Sequence, residues 1–298
     1  MSKTAWVFPG QGSQVLGMGV DLIDLPLAQQ RFAQAEEILG WSVIAVCQHD
    51  EAKLGQTLYT QPCLYVVESI LADLLKQKTL PDFVAGHSLG EYIALYVAGV
   101  FEWSAGLRLV KRRAELMENA AGGMMAAMIK FDRDELERVI GQTPDVVLAN
   151  DNSPEQVVIS GTPEAVKMVM EKVKAKRAIP LNVSGAFHSP LMAAAAQEFQ
   201  DVLTSVEFLP ASIPVMSNVE PTPTQDGNVL KQRLMQQMTG SVRWREISLG
   251  LADHGITHVV EIGPGNVLTG LIKRTCGDMQ LDNVRNAAEL AQWGDNCI

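Results

Sequence analysis

The sequence predicts an α/β fold with a mainly parallel sheet, interrupted by a smaller βαββαβ unit. Three observations carry this. Short apolar runs alternate with helical periodicity through residues 4–120, a Gly-x-Ser-x-Gly turn joins one run to a helix, and the pattern changes over residues 122–187. Strands alternating with helices build layered α/β folds because each crossover helix covers the sheet it bridges.

The opening run 4–8 (Thr-Ala-Trp-Val-Phe) is apolar and strand-like, and Pro9-Gly10-Gln11-Gly12-Ser13-Gln14 is too rich in glycine to continue it. Helical spacing follows at 27–39 and 61–76. Pro81-Asp82-Phe83-Val84-Ala85, Gly86-His87-Ser88-Leu89-Gly90 and Glu91-Tyr92-Ile93-Ala94-Leu95-Tyr96 then read as strand, sharp turn and helix. In the second unit a strand is predicted at 124–131, and Asp132 caps a helix to Gly141 with Glu135 placed for a capping box. Runs 146–149 and 157–160 flank Asn150-Asp151-Asn152-Ser153-Pro154, which predicts a hairpin. Thr162-Pro163 starts a helix to 176, because proline suits the first helical position, and a strand at 178–183 closes the unit. The order βαββαβ is the ferredoxin-like one. Beyond Ser189, helices are predicted at 191–205 and 229–238, with an irregular stretch to Pro223 between them. A strand at 257–262 turns through Gly263-Pro264-Gly265 into a helix at 267–274, and the polar end from about Asp282 is expected to be peripheral.

With 298 residues, 47% hydrophobic and 19% charged, the chain can bury a large core. A formal charge of -10 and a pI near 5.0 argue against nucleic acid, which needs a clustered basic surface. No membrane span is expected, because no apolar run approaches about eighteen residues. The first residues pass directly into strand-like sequence, so neither signal nor transit peptide is expected and the protein is expected in the cytoplasm. Cys47, Cys63, Cys276 and Cys297 are scattered, without metal-ligand spacing, so no metal site is expected.

Gly86-His87-Ser88-Leu89-Gly90 fits a nucleophile elbow, in which the flanking glycines relieve the crowding around a strained serine. The alternative is a glycine-rich connection with an ordinary capping serine. A serine hydroxyl needs a base. Among His49, His87, His188, His254 and His258, His87 adjoins Ser88 on a strand and is expected to face the opposite way. His254 and His258 read as structural. His188 lies in Ser184-Gly185-Ala186-Phe187-His188-Ser189-Pro190, where the smaller unit rejoins the main chain, either facing a cleft or solvated at a helix entry. On a helical wheel over 107–120, Arg113 falls in the middle of the apolar arc. It must therefore find either an internal carboxylate or a substrate carboxylate. The Gly10–Gly12 loop would emerge at the same sheet edge as Ser88, where a second oxyanion donor is needed. Its spacing matches neither a Walker A loop nor G-x-G-x-x-G.

Together these residues resemble the malonyl-CoA:acyl-carrier-protein transacylases of fatty-acid synthesis. The resemblance rests on Phe8-Pro9-Gly10-Gln11-Gly12-Ser13-Gln14, Gly86-His87-Ser88-Leu89-Gly90-Glu91, Arg113, Asn152-Ser153-Pro154 with Gln156-Val157-Val158-Ile159-Ser160-Gly161, His188, and Glu261-Ile262-Gly263-Pro264-Gly265. It implies a hydrolase-like α/β core, residues 1–121 and 188–298, carrying a ferredoxin-like subdomain, residues 122–187, with the active site between them. It implies Ser88 as the acylated nucleophile, His188 as general base, Arg113 on the malonyl carboxylate, and the N–H groups of Gln11 and Leu89 as oxyanion hole. The main-chain carbonyl of Gln237 would orient His188, with no acid in the triad. Asn152 and Phe187 are candidate substrate contacts, and Gly185-Ala186-Phe187-His188 with Leu89 looks like the malonyl-selective pattern, Phe187 crowding an α-methyl group.

The implied reaction is ping-pong, from malonyl-CoA to the phosphopantetheine thiol of acyl carrier protein, with no bound cofactor and a monomeric enzyme. A hydrolase or thioesterase shares the elbow and base, and a non-catalytic carrier-binding module could keep the fold. Carrier proteins are acidic, so Lys167, Lys172, Lys174, Lys176 and Arg177, with Lys111, Arg112, Lys273 and Arg274, are candidate docking residues. Such lysines are otherwise solvated helix faces.

Overall fold

The computed structural model describes residues 3–120 and 122–293, which leaves Cys297 outside the described residues. The chain runs β1 (Lys3–Phe8), α1 (Pro26–Leu39), α2 (Val43–His49), α3 (Glu51–Leu54), α4 (Thr57–Lys76), β2 (Phe83–Gly86), α5 (Gly90–Val97) and α6 (Trp103–Asn119). A second group follows: β3 (Met124–Phe131), α7 (Arg133–Gly141), β4 (Val146–Ser153), β5 (Gln156–Gly161), α8 (Pro163–Lys172) and β6 (Ala175–Pro180). The chain ends with α9 (Ala193–Ser205), β7 (Val215–Met216), α10 (Gly227–Gln237), α11 (Trp244–Asp253), β8 (Ile256–Ile262), α12 (Val267–Thr275), β9 (Gln280–Val284) and α13 (Ala287–Gln292).

The main sheet has the order β7-β2-β1-β8-β9, and every pairing in it is parallel. Covered on both faces by helices, its central strand needs no polar side: Ala5, Trp6, Val7 and Phe8 of β1 are all fully buried. Because Phe8 pairs with Gly86, the loops after β1 and β2 leave the sheet side by side. That register brings the Gln11 loop to the Ser88 elbow.

The second sheet, β4-β5-β3-β6, is antiparallel throughout, in the ferredoxin-like order. The two-residue period of β3 divides its side chains. Ala126 and Met128 pack under α7 and α8 with Leu136 and Val166, whereas Met125 and Ala127 join the main core. Asp151 N–H to Val242 C=O (2.9 Å) and Val242 N–H to Ala149 C=O (2.8 Å) tie the small sheet to the segment before α11.

Several boundaries differ from the pattern in the sequence. Asn150 to Ser153 continue β4 as a bulged strand, so the hairpin turn shrinks to Pro154-Glu155. Two of their polar side chains find partners inside the protein: Asp151 takes Arg133 (2.8 Å) and Arg245 (2.9 Å), and Asn152 takes His87. Helix α8 stops at Lys172 and β6 begins at Ala175, because Ala175 and Arg177 pair with Phe131 and Ile129, and that ladder overrides helical spacing. Asp132 does cap α7 through Glu135 N–H (2.9 Å), but the Glu135 carboxylate accepts Lys174 N–H (2.9 Å) instead of closing the box. The end beyond Asp282 is not merely peripheral, since β9 adds an edge strand to the main sheet; its half-exposed position explains its polar sequence. No helix among the described residues is long and apolar enough to cross a membrane.

Candidate active site

Ser88 sits between β2 and α5 at φ 51°, left-handed backbone that costs an L-residue about 1–2 kcal/mol. The turn closes only because its neighbours lack side chains. A Cβ on Gly86 would run into the backbone of Gly90, and one on Gly90 into the carbonyl of Phe8. Beyond Leu89, α5 is apolar nearly all round and buried, which fixes the base of the elbow in the core.

His188 arrives from 100 residues away with Nε2 2.7 Å from Ser88 Oγ. Its Nδ1 lies 2.9 Å from the carbonyl of Gln237 and 3.2 Å from that of Gly240. Carbonyls only accept, so Nδ1 carries the proton and the Nε2 lone pair faces the serine. The ring is 3% exposed. Burial first, and the Arg113 charge second, push its pKa down to about 3, so the free site holds a neutral imidazole.

Arg113, on α6, is fully buried, and among the described residues it has no salt-bridge partner. Its guanidinium donates from Nη1 to Gln61 Oε1 (2.8 Å) and from Nη2 to Ser88 Oγ (3.0 Å) and Gln237 Oε1 (3.2 Å). The Tyr92 ring lies 5.4 Å from its carbon, and Nε has no partner. Neutral amides thus hold the charge directly, beside the hydroxyl, while the nearest carboxylate influence, that of buried Glu91, reaches it without an ion pair among the described residues. Of the two alternatives, the internal ion pair is not found among the described residues, and the guanidinium remains available to an anion.

The N–H groups of Gln11 and Leu89 donate to no other group among the described residues, while their neighbours Ser13, Ser88 and Gly90 do. The Gln11 side chain bonds Thr57 Oγ1 (3.0 Å) and receives Gln61 Nε2 at 3.4 Å, which holds its loop against α4. A cavity of about 360 Å³ adjoins the elbow, lined by Gln11, His87, Asn152, Val158 and Leu181 among others. Ser88, His188 and Arg113 are not in its lining. Asn152 faces this space through its bond to His87 Nε2 (2.9 Å), whereas Phe187 is 5% exposed and packs in the main core. No cluster of three or more His, Cys, Asp or Glu side chains suited to a metal exists among the described residues.

Reading the sequence missed four contributors. His87 does point away from the serine, yet it lines the cavity, with its pKa lowered by burial. Glu91, on α5, accepts Gln237 Nε2 (2.8 Å) and Asn218 N–H (3.1 Å), and burial raises its pKa. Gln61 and Asn218 complete the set. For Glu91 and Gln61 a signal was present, because a polar residue in a helix apolar on every face must be buried. Asn218, in an irregular stretch, carried none.

The sequence matches the family model described as "Acyl transferase domain" over residues 5–296. It is 60% identical to the malonyl CoA-acyl carrier protein transacylase of Synechocystis sp., over 97% of this chain and 99% of that protein. The crystal structure of the Synechocystis malonyl-CoA:ACP transacylase superposes with TM-score 0.96 at 59% identity, covering 97% of this chain and 99% of that one. A malonyl-transacylase solved in complex with a type II PKS acyl-carrier protein superposes with TM-score 0.95 at 38% identity, covering 99% and 100%.

Proposed function

The chain belongs to the acyl transferase domain family, and from that premise we propose that it moves the malonyl group of malonyl-CoA to the phosphopantetheine thiol of acyl carrier protein through a malonyl ester on Ser88. One observation carries the choice of acyl group: a fully buried arginine with no ion-pair partner among the described residues stands 3.0 Å from the hydroxyl that His188 activates. A site meant for a neutral acyl chain would leave that charge unpaired.

In the first half-reaction His188 Nε2 takes the Ser88 proton as Oγ bonds to the thioester carbon. The N–H groups of Gln11 and Leu89 receive the oxyanion. When the C–S bond breaks, His188 returns the proton to the CoA sulfur. The carrier thiol then repeats the sequence in reverse order, giving its proton to His188 and displacing Ser88 Oγ. A backbone carbonyl behind His188 holds the tautomer without adding negative charge, which a third carboxylate would place near the malonyl anion. The enzyme works in the cytoplasm and needs no bound cofactor in this scheme. Incubation with labelled malonyl-CoA should leave a stable ester on Ser88 that a carrier protein discharges; free malonate with no ester would identify a hydrolase instead.

The neutral base predicts an unusual pH profile. Since the folded pKa of His188 lies near 3, below the ordinary value of 6.5, the base stays deprotonated as pH falls through 6.5. The acid limb of kcat/KM for malonyl-CoA should therefore lie well below pH 6.5. A bound malonyl carboxylate offsets the Arg113 charge that depresses this pKa, so the acid limb of kcat should lie higher than that of kcat/KM. Limbs coinciding at 6.5 would remove the assignment.

Of the basic candidates for carrier docking, Arg112 is already paired with Glu115 (3.2 Å) and Glu198 (3.0 Å), and Lys111 bonds the Ile38 carbonyl (2.9 Å). Lys167 and Lys172 on α8, Lys174 in the link to β6, Lys176 and Arg177 on β6, and Lys273 and Arg274 on α12 are exposed. Reversing Lys176 and Arg177 to glutamate should raise KM for carrier protein severalfold while self-malonylation by malonyl-CoA is unchanged. An unaltered KM would move docking to another face.

A further inference from the structure

The elbow is held from outside as well as by its glycines. Residue Asn218 follows β7, which pairs with β2 in a register of Val84 with Val215 and Ala85 with Met216 and is bridged on its other side by Thr224. Continuing that register sets Asn218 beside the turn. Its side chain spans the turn: Oδ1 accepts the Ser88 N–H at 2.7 Å, and Nδ2 donates to the Gly86 carbonyl at 2.6 Å. The Ser88 carbonyl in turn accepts Gln237 Nε2 at 2.8 Å. Both amides are fastened to Glu91 Oε2, which takes the Asn218 N–H at 3.1 Å and Gln237 Nε2 at 2.8 Å. Asn218 and Gln237 are fully buried and Glu91 is 1% exposed.

The N–H of a left-handed serine is thus satisfied by a side chain, and its carbonyl accepts both Gln237 Nε2 and the Glu91 N–H (3.2 Å). This matters because the Ser88 N–H cannot reach a helical or ladder acceptor at φ 51°, and a buried unpaired N–H costs about 1–3 kcal/mol. Without the Asn218 acceptor, relaxing Ser88 toward ordinary backbone would relieve that cost and swing Oγ away from His188 Nε2 and Arg113 Nη2. We propose that Asn218 is the positioning residue of the nucleophile, clamping the elbow across Gly86 and Ser88 so that Oγ stays within reach of its base. Gln237 and Glu91 are the supports that orient the clamp. Asn218 touches neither CoA nor the acyl group in this account, and acts through Ser88 alone. The assignment rests on Ser88 being the acylated nucleophile.

The test separates geometry from folding. Ester formation from labelled malonyl-CoA is followed in single turnovers, with burst amplitude counting competent sites and the rate constant reporting each site. For Asn218→Ala the rate constant per competent site should fall about 10- to 100-fold, the scale expected when a reacting atom is displaced by around an ångström. The dissociation constant for malonyl-CoA should change less than twofold, because Arg113 and the cavity are untouched. Asn218→Asp keeps the acceptor for Ser88 N–H and loses the donor to Gly86, so it should retain more of the rate than the alanine variant. If Asn218→Ala does not fold, Asn218→Asp alone must still show a lowered rate constant. A reduced amplitude with a wild-type rate constant in either folded variant would make Asn218 merely structural and overturn the proposal. Absence of any burst in the wild-type enzyme would instead overturn the reading of Ser88.

Discussion

Replacing Ser88 with alanine should abolish covalent malonylation and reduce transfer to carrier protein by about 10⁴- to 10⁶-fold, the range seen when the nucleophile of a covalent mechanism is removed. The expectation is this large because no other group can take over. The Oγ atom is the one nucleophilic atom shared by His188 Nε2 at 2.7 Å and Arg113 Nη2 at 3.0 Å. Of the described cysteines, Cys47 and Cys63 are buried in the main core and Cys276 packs beside the second apolar cluster. The variant should fold normally, because the clamp on the elbow grips Ser88 by its backbone, and alanine keeps that backbone. Mass analysis after exposure to malonyl-CoA should show the added malonyl group on the wild-type protein and none on the variant. Substantial transfer by the alanine variant would require a direct reaction between the two thiols and would remove the ester from the mechanism.

The second large effect is a change of preference. Arg113→Ala should lower kcat/KM for malonyl-CoA by roughly 30- to 1000-fold, corresponding to about 2–4 kcal/mol for lost charge-assisted hydrogen bonds to a carboxylate. Transfer of acetyl should hold steady or rise, because an uncharged acyl group no longer faces an unpaired guanidinium. Lysine at 113 should recover little: a point charge cannot reproduce the fork that now reaches Gln61 on one side and Ser88 and Gln237 on the other. Rates should be expressed per competent site, since the mutation also strips two buried amide carbonyls of their donor. A variant that still prefers malonyl over acetyl would show that the carboxylate is read elsewhere.

Much of this site was legible in the chain, for local reasons. The strand, turn and helix around Ser88 depend on residues within a few positions of each other, and the glycines are required by contacts within the turn and with the adjacent strand. Arg113 stood out because one cation interrupts an apolar arc, a conflict that only function or an internal partner resolves. The resemblance supplied His188 and the Gln237 carbonyl, and the structure puts both at hydrogen-bond distance. What resisted reading was whatever depends on register between distant strands. The polar run after Ala149 looked like a turn because its side chains are turn-formers, yet Asp151 pairs with two arginines, one of them 94 residues further on. Likewise β7 is two residues long and shows no period at all.

By itself, then, the sequence determined the serine at the apex of a strained turn, the alternation of layers and the presence of a buried cation, all set by short-range sterics and periodicity. Only the tertiary structure decided the tautomer of His188, the lack of an ion pair on Arg113 among the described residues, and the grip of Asn218 on an elbow 130 residues away. The physical reason is that a hydrogen bond is a matter of tenths of an ångström and tens of degrees. Such precision comes from the pairing of β2 with β7 and the packing of α10 beneath the elbow, neither of which leaves a mark in the spacing of residues along the chain.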